Sequence, residues 1–457
     1  MMQTILNNNT LKRILQVTQL LLFIFLVFTM LFNRSFVGLY IFGFRLGEFL
    51  TFFGLIIGLA FLILPKKYLN DFYFNDLQFY SLKLIVLSYF LIGFLTNADF
   101  LNTYTYKSSS YIWTTFFLFL GALVNLKSKI SFEKLSILLI FIPFFTYLFS
   151  SGNYPNLLID FFKENSDKFQ FLKASDIFIG YASVNFLMKY TLKSQNRRFL
   201  IFLITSGLLL PLLLFASRGS FLGVLIYMTF EIFYSRKYIL NNKTRVFIYL
   251  LISSIFFSFS TLRIDRVELA RPTVEEIIKV ANPSTIGDSI TSLAQEKETV
   301  NVIFSFYMHY GRLESTDPTT NWRLDIWQDV VFDMIGENRV LTGYGYNEIF
   351  PQMLDPTAPG RLGRDGMNEH VHNYFVNIFA RGGIFQLSIF LLFHLGLIKY
   401  WKDNNQNNQI LTYMIPVFIV SSLDITLEGV QFPFIYYFFL YYFLKNSTRV
   451  KVVELYG

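Results

Sequence analysis

The chain has 457 residues, 53% of them hydrophobic and 15% charged, with no cysteine and a net charge of +8. A soluble fold carries about 25% charged residues, so a string of soluble domains is excluded, and without thiols there is no disulfide framework, thiolate metal site or cysteine nucleophile. The basic residues sit in short segments beside apolar blocks and not in one patch, which excludes a nucleic-acid surface and reads as a topology signal.

Apolar blocks of about 17–22 residues have the length that crosses a bilayer as a helix, the form that satisfies its own peptide groups in lipid. They fall at 15–32, 46–64, 79–96, 108–124, 134–150, 174–191, 199–216, 219–235, 245–262, 375–398, 409–424 and 428–444. The fold class predicted is an all-α integral membrane protein with about 12 transmembrane helices embedded in the lipid bilayer. The first block follows Lys12 and Arg13, is long for a signal-peptide core and ends without a small-residue cleavage site, so it reads as an uncleaved helix. The 56 Phe and 28 Tyr suit lipid-facing and interfacial positions.

With the N-terminus in the cytoplasm, the inside segments carry 20 basic residues, among them Lys66, Lys67, Lys189, Arg197, Arg198, Arg236, Lys399 and Lys402. The short outside loops carry seven: Arg34, Arg45, Lys107, Lys163, Lys168, Lys173 and Arg218. The bias toward the inside predicts that both termini are cytoplasmic. The division expected is 1–262 for helices one to nine, 263–371 for a large extracytoplasmic loop and 372–457 for the last three helices. That loop has no spanning segment and holds 10 Lys/Arg against 17 Asp/Glu, a net −7. Its sequence predicts order. Pro272, Glu275 and Glu276 signal a helix start. A second amphipathic helix is predicted over 321–337, with Leu324, Trp327, Val331 and Met334 on one side. Residues 351–366 are rich in Pro and Gly and read as an irregular loop.

Four clusters carry chemistry, all on the outer side in this topology. Ser217-Arg218-Gly219 forms a short turn at the membrane boundary. Arg218 fits either a snorkelling anchor or an anion site, since a guanidinium gives two parallel charge-assisted bonds to phosphate. Arg323 and Trp327 lie four apart on one helix face, a spacing that also suits a plain amphipathic helix. Gly343 and Gly345 allow a tight turn or close backbone approach. Glu369-His370-Val371-His372-Asn373 holds two of the four histidines. An imidazole there fits a general base, a metal ligand together with Glu369, or a polar cap on the next helix. No Asp-x-Asp pair occurs in the chain. Glu231 and His394 are the main ionisable groups inside the spans, and Asp424 and Glu428 flank the last outer turn.

In this order the clusters resemble the O-antigen ligase and O-antigen polymerase family of bacterial envelope transferases. The shared pattern is a many-helix bundle, a Ser-Arg turn, and a periplasmic loop carrying Arg-x-x-x-Trp, Gly-x-Gly and then His-x-His-Asn. A glycine pair follows, here Gly382 and Gly383 after Arg381. The resemblance implies a multi-pass protein of the bacterial inner membrane, acting in lipopolysaccharide biosynthesis, with the loop in the periplasm. It implies a glycosyltransferase, metal-independent and inverting, with no cofactor and no nucleic-acid partner. The donor would be a glycan on undecaprenyl diphosphate. The acceptor would be lipid A–core (ligase) or a second lipid-linked glycan (polymerase). On that reading His372 is the base with His370 second, and Arg218 and Arg323 hold the diphosphate. Asn373, Trp327, Gly343 and Gly345 support them. Arg361 and Arg364 read as a solvated loop with a possible reach to the diphosphate. A lipid-linked-sugar transporter is the alternative of another class, but neither internal repeats nor broken helices are evident in the sequence.

Overall fold

The structure is a computed structural model that describes residues 9–69, 73–124, 132–150, 154–166, 173–266, 306–315, 318–356, 358, 360–362 and 369–446. Before the large loop the helices are α1 (Asn9–Val37), α2 (Leu46–Ile63), α3 (Asp76–Leu95), α4 (Thr103–Ser108), α5 (Ser110–Thr114), α6 (Leu118–Val124) and α7 (Phe132–Ser150). They continue with α8 (Asn156–Asn165), α9 (Ala174–Thr191), α10 (Gln195–Ala216), α11 (Arg218–Tyr234), α12 (Arg236–Asn241) and α13 (Lys243–Arg266). α14 (Pro318–Gly336) lies in the loop segment, and α15 (Tyr374–Asn405), α16 (Leu411–Ser421) and α17 (Gln431–Lys445) close the chain.

Each apolar block predicted from sequence is helical over all or most of its length. Among the described residues, six helices are long and apolar enough to cross a membrane: Gln16–Val37, Leu46–Ile63, Asp76–Leu95, Gln195–Ala216, Lys243–Arg263 and Tyr374–Asn405. These carry exposed apolar side chains such as Ile63, Phe94, Phe247 and Ile255, the surface a lipid solvent requires. α9 and α17 differ: nearly every residue of each is buried. A helix buried all round is the centre of a bundle, which is why α9 can hold Asp176, Ser183, Asn185 and Lys189 inside the protein.

The outer helices approach through small residues, as helices in lipid do. A side chain on Gly207 of α10 would meet the Ser253 carbonyl of α13, and one on Gly396 of α15 would meet the backbone of Gln78 in α3. Asn75 caps α3 by accepting from Gln78 N at 2.8 Å and donates to Gly396 O at 2.6 Å. Glu231 of α11 pairs with Lys189 of α9 at 2.7 Å, both buried. His394 Nδ1 donates to Phe390 O at 2.9 Å, and the ring packs among Phe418, Tyr436 and Tyr437.

Two expectations are corrected. The span predicted at 108–124 is broken into α5, a 3-10 turn at Thr115–Phe117 and α6, and α15 is interrupted at Gly383, whose φ is 67°. Broken helices are therefore present. Among the described residues there are also two antiparallel hairpins, β1 (Tyr40–Ile41) with β2 (Phe44–Arg45), and β3 (Phe306–His309) with β4 (Arg312–Ser315). The second turns at Tyr310 and Gly311, both at positive φ, the geometry of a tight hairpin turn. The helix predicted to start at Pro272 lies outside the described residues.

Candidate active site

The loop segment is anchored by its own small core. Ile326, Val330 and Met334 of α14 pack with Phe350, Met353, Val371 and Ala380. β4 clips onto α14 through Leu313, whose N–H donates to Gln328 Oε1 at 2.8 Å, and through Arg312, which pairs with Asp329 at 2.8 Å. Arg361 is buried, paired with Asp329 and donating to Gln352 O at 2.9 Å. It serves the loop core and is not in a solvated loop, which corrects the sequence reading. Arg364 lies outside the described residues.

The glycine motifs form a clasp. Gly343 has φ 71°, and a Cβ there would lie 2.6 Å from the Ala380 carbonyl oxygen. Tyr344 N and Gly345 N donate to Ala380 O and Arg381 O at 2.7 and 3.0 Å, and Ile384 N donates to Val340 O at 2.8 Å. The break at Gly383 lets α15 receive this strand of loop: a Cβ on Gly383 would sit 2.1 Å from Leu341 O. Arg381 locks the joint from inside, donating to Glu348 O at 2.6 Å, Gly345 O at 3.1 Å and Tyr104 Oη at 3.1 Å. Gly343 and Gly345 thus hold the loop to the helix that follows the histidines.

The other predicted residues gather at the turn between α16 and α17. Arg323, from α14, donates to Leu423 O. Ser217 caps α11, accepting from Ser220 N at 3.4 Å, and Arg218 is the first residue of that helix. A side chain on Gly219 would touch Leu423 Cβ at 3.0 Å, so the Arg218 turn lies against the same residue that Arg323 holds. Next to it, Asp424 accepts from Lys173 Nζ at 2.7 Å. His372 lies between these groups and the loop. Its ring meets Trp322 edge-on, 5.2 Å between centroids, and its neighbour Val371 accepts from Trp327 Nε1 at 2.6 Å. Burial, then the Arg323 charge, pull the His372 pKa down to about 3, against the opposing pull of Asp424. At neutral pH the ring is uncharged and can accept a proton.

His370 points elsewhere. Its Nδ1 lies 3.2 Å from Glu428 Oε2, while Glu369 pairs with Lys107 at 2.6 Å. The two histidines take different sides because His372 has φ 54°, which breaks the extended run of the segment. Asn373 caps α15, its side-chain oxygen accepting from Phe375 N and Val376 N at 3.0 and 3.1 Å. That role fixes the start of α15 directly after His372. Lys173 and the Leu423 carbonyl were not foreseen. The only sequence signal for Lys173 was its position in a short loop on the same side as the clusters.

No group of three or more His, Cys, Asp or Glu side chains able to hold a metal occurs among the described residues. No curated protein matches the chain. The family model described as O-antigen ligase matches residues 190–391. That stretch takes in both arginines, the Arg-x-x-x-Trp helix, the Gly-x-Gly clasp and both histidines of the segment before α15. Over that stretch, a little under half of its length, the chain matches the O-antigen ligase family, and the match supports a lipid-linked glycan transferase role for this chain of apolar helices.

Proposed function

We propose that the protein moves a glycan from undecaprenyl diphosphate to a sugar hydroxyl of lipid A–core at the periplasmic face of the bacterial inner membrane. Twelve helices, two cytoplasmic termini and a periplasmic loop complete this reading. The observation that carries it is the convergence of Arg323, the Arg218 turn and a neutral buried His372 on Leu423 and Asp424.

In this reaction the acceptor oxygen attacks the anomeric carbon from the face opposite the diphosphate. The new C–O bond forms as the bond to the phosphate oxygen breaks, with inversion, and the acceptor proton passes to His372. The leaving diphosphate is already a stable anion, so the need is for fixed positive charge where its charge builds. Arg218 and Arg323 supply it. A base with a pKa near 3 is weak. A dianionic diphosphate beside Arg323 offsets the charge that lowers that pKa, so donor binding raises the basicity of His372 just before it is needed. Metal-free chemistry is part of the proposal.

The test supplies purified protein in nanodiscs with undecaprenyl-diphosphate-linked glycan and lipid A–core and resolves products on a gel. A ladder attached to core supports the ligase reading. Longer lipid-linked chains would assign the polymerase reaction instead, and no product with either acceptor would remove the transferase proposal.

A further inference from the structure

Beside the His372 face lies a second, narrow cleft between α4, α5 and the start of α15, with room inside for little more than a water-sized group, about 20 Å³. Glu428 forms its floor. The carboxylate is 2% exposed, and among the described residues neither oxygen accepts a hydrogen bond. His370 Nδ1 stands 3.2 Å from its Oε2, and His370 is itself partly exposed in the cleft. A buried carboxylate without donors is left unsatisfied, and the donors it lacks must come from what enters the cleft. Above it the Lys107–Glu369 pair stands at the rim, and Asn377 and Arg381 of α15 complete the wall.

We infer that the acceptor sugar lies over this cleft and reaches into it with its hydroxyl groups, Glu428 accepting hydrogen bonds from two of them and Asn377 adding a further polar contact. The inference rests on the transferase reading and adds to it the place and partners of the second substrate. Three features favour a neutral polyol. Lys107 and Arg381 are balanced by Glu369 and Glu428, so the walls carry no net charge to hold a phosphate or a second cation. Glu428 repels a phosphate directly. The rings of Tyr104 and Tyr111 supply the apolar faces against which sugar C–H groups pack. The cleft is joined to the base by chain geometry: His370 and His372 are two residues apart on opposite sides of Val371, whose carbonyl is held by Trp327.

The experiment measures steady-state transfer in nanodiscs for wild type, Glu428→Gln and Asn377→Ala. Undecaprenyl-diphosphate-linked glycan is the donor, and lipid A–core and excess lipid-linked glycan are tried in turn as acceptor. Loss of a hydrogen bond to a charged group predicts a rise of about 10- to 100-fold in acceptor KM for Glu428→Gln. The donor KM and the kcat at saturating acceptor stay within about twofold, the pattern of a lost ground-state contact. Binding of undecaprenyl diphosphate, followed by tryptophan fluorescence, is unchanged. Unaltered acceptor KM in a Glu428→Gln protein that melts like wild type overturns the subsite and leaves the transferase reading standing. Should that variant not fold, Asn377→Ala carries the same test, and its unaltered acceptor KM is equally decisive. If wild type transfers no glycan to either acceptor, both proposals fall together.

Discussion

His372 adopts a left-handed backbone, which costs a non-glycine residue about 1–2 kcal/mol and persists only where the surroundings impose it. Here Trp327 holds the preceding carbonyl and Asn373 caps the following helix, so the ring is pinned from both sides. Replacing His372 by Ala is expected to leave a folded membrane protein whose transfer rate falls by about 10²–10⁴-fold, the usual worth of a general base; near-normal transfer by a well-expressed variant would remove the assignment. Arg323→Gln lowers turnover and moves the His372 pKa upward, because a cation that disfavours the imidazolium has gone. Histidine-labelled NMR in detergent reads that shift directly. The same depressed pKa has a stability consequence with a definite sign. Between the ordinary value of 6.5 and the folded value of about 3 the unfolded chain binds the extra proton, so folding weakens as pH falls through that window. Melting temperature should accordingly drop less steeply on acidification in His372→Gln than in wild type.

At the scale of elements, the buried Lys189–Glu231 pair ties α9 to α11 at 2.7 Å. Removing one partner strands a charge, at a cost of about 3–5 kcal/mol, whereas exchanging both for apolar side chains of similar size is often neutral. Glu231→Ala is thus expected to melt well below wild type, and Lys189→Met with Glu231→Leu to recover most of the loss; an equally unstable double variant would assign the pair a role beyond charge matching. Gly383→Ala places a methyl on the Leu341 carbonyl in a left-handed residue, and a loss of about 2–4 kcal/mol is expected from strain and overpacking together. The helices were legible in the sequence because their apolar blocks have membrane length. The interruption at Gly383 was not, since the glycine's partner is a loop carbonyl some forty residues earlier, and nothing local announces it. For the same reason Arg361 read as solvated: its burial depends on Asp329 in a helix whose docking no local pattern encodes. Arg323 and Trp327 were legible as a shared face through their spacing of four. Glu428 was visible only as a flank of the last turn; its pairing with His370 arises from packing of α15 against the turn before α17.

For the whole molecule, the distribution of basic residues predicts the proposed orientation, with the large loop outside. The chain lacks cysteine, so single thiols can be introduced without background. Tyr310→Cys, at the tip of the β3–β4 hairpin, is expected to react with an impermeant maleimide in intact spheroplasts, and Lys402→Cys, at the far end of α15, only after lysis. The reverse pattern would invert the topology and place the His372 face on the cytosolic side. The clasp between residues 340–345 and the Gly383 break, together with the grip of Arg323 on Leu423, also orders events during synthesis. When α13 and the loop have left the ribosome, neither receiving surface yet exists. The loop must wait until α15 and then α16 are inserted behind it. A nascent chain that has not yet inserted α15 and α16 therefore holds its loop without the surfaces that assemble the centre.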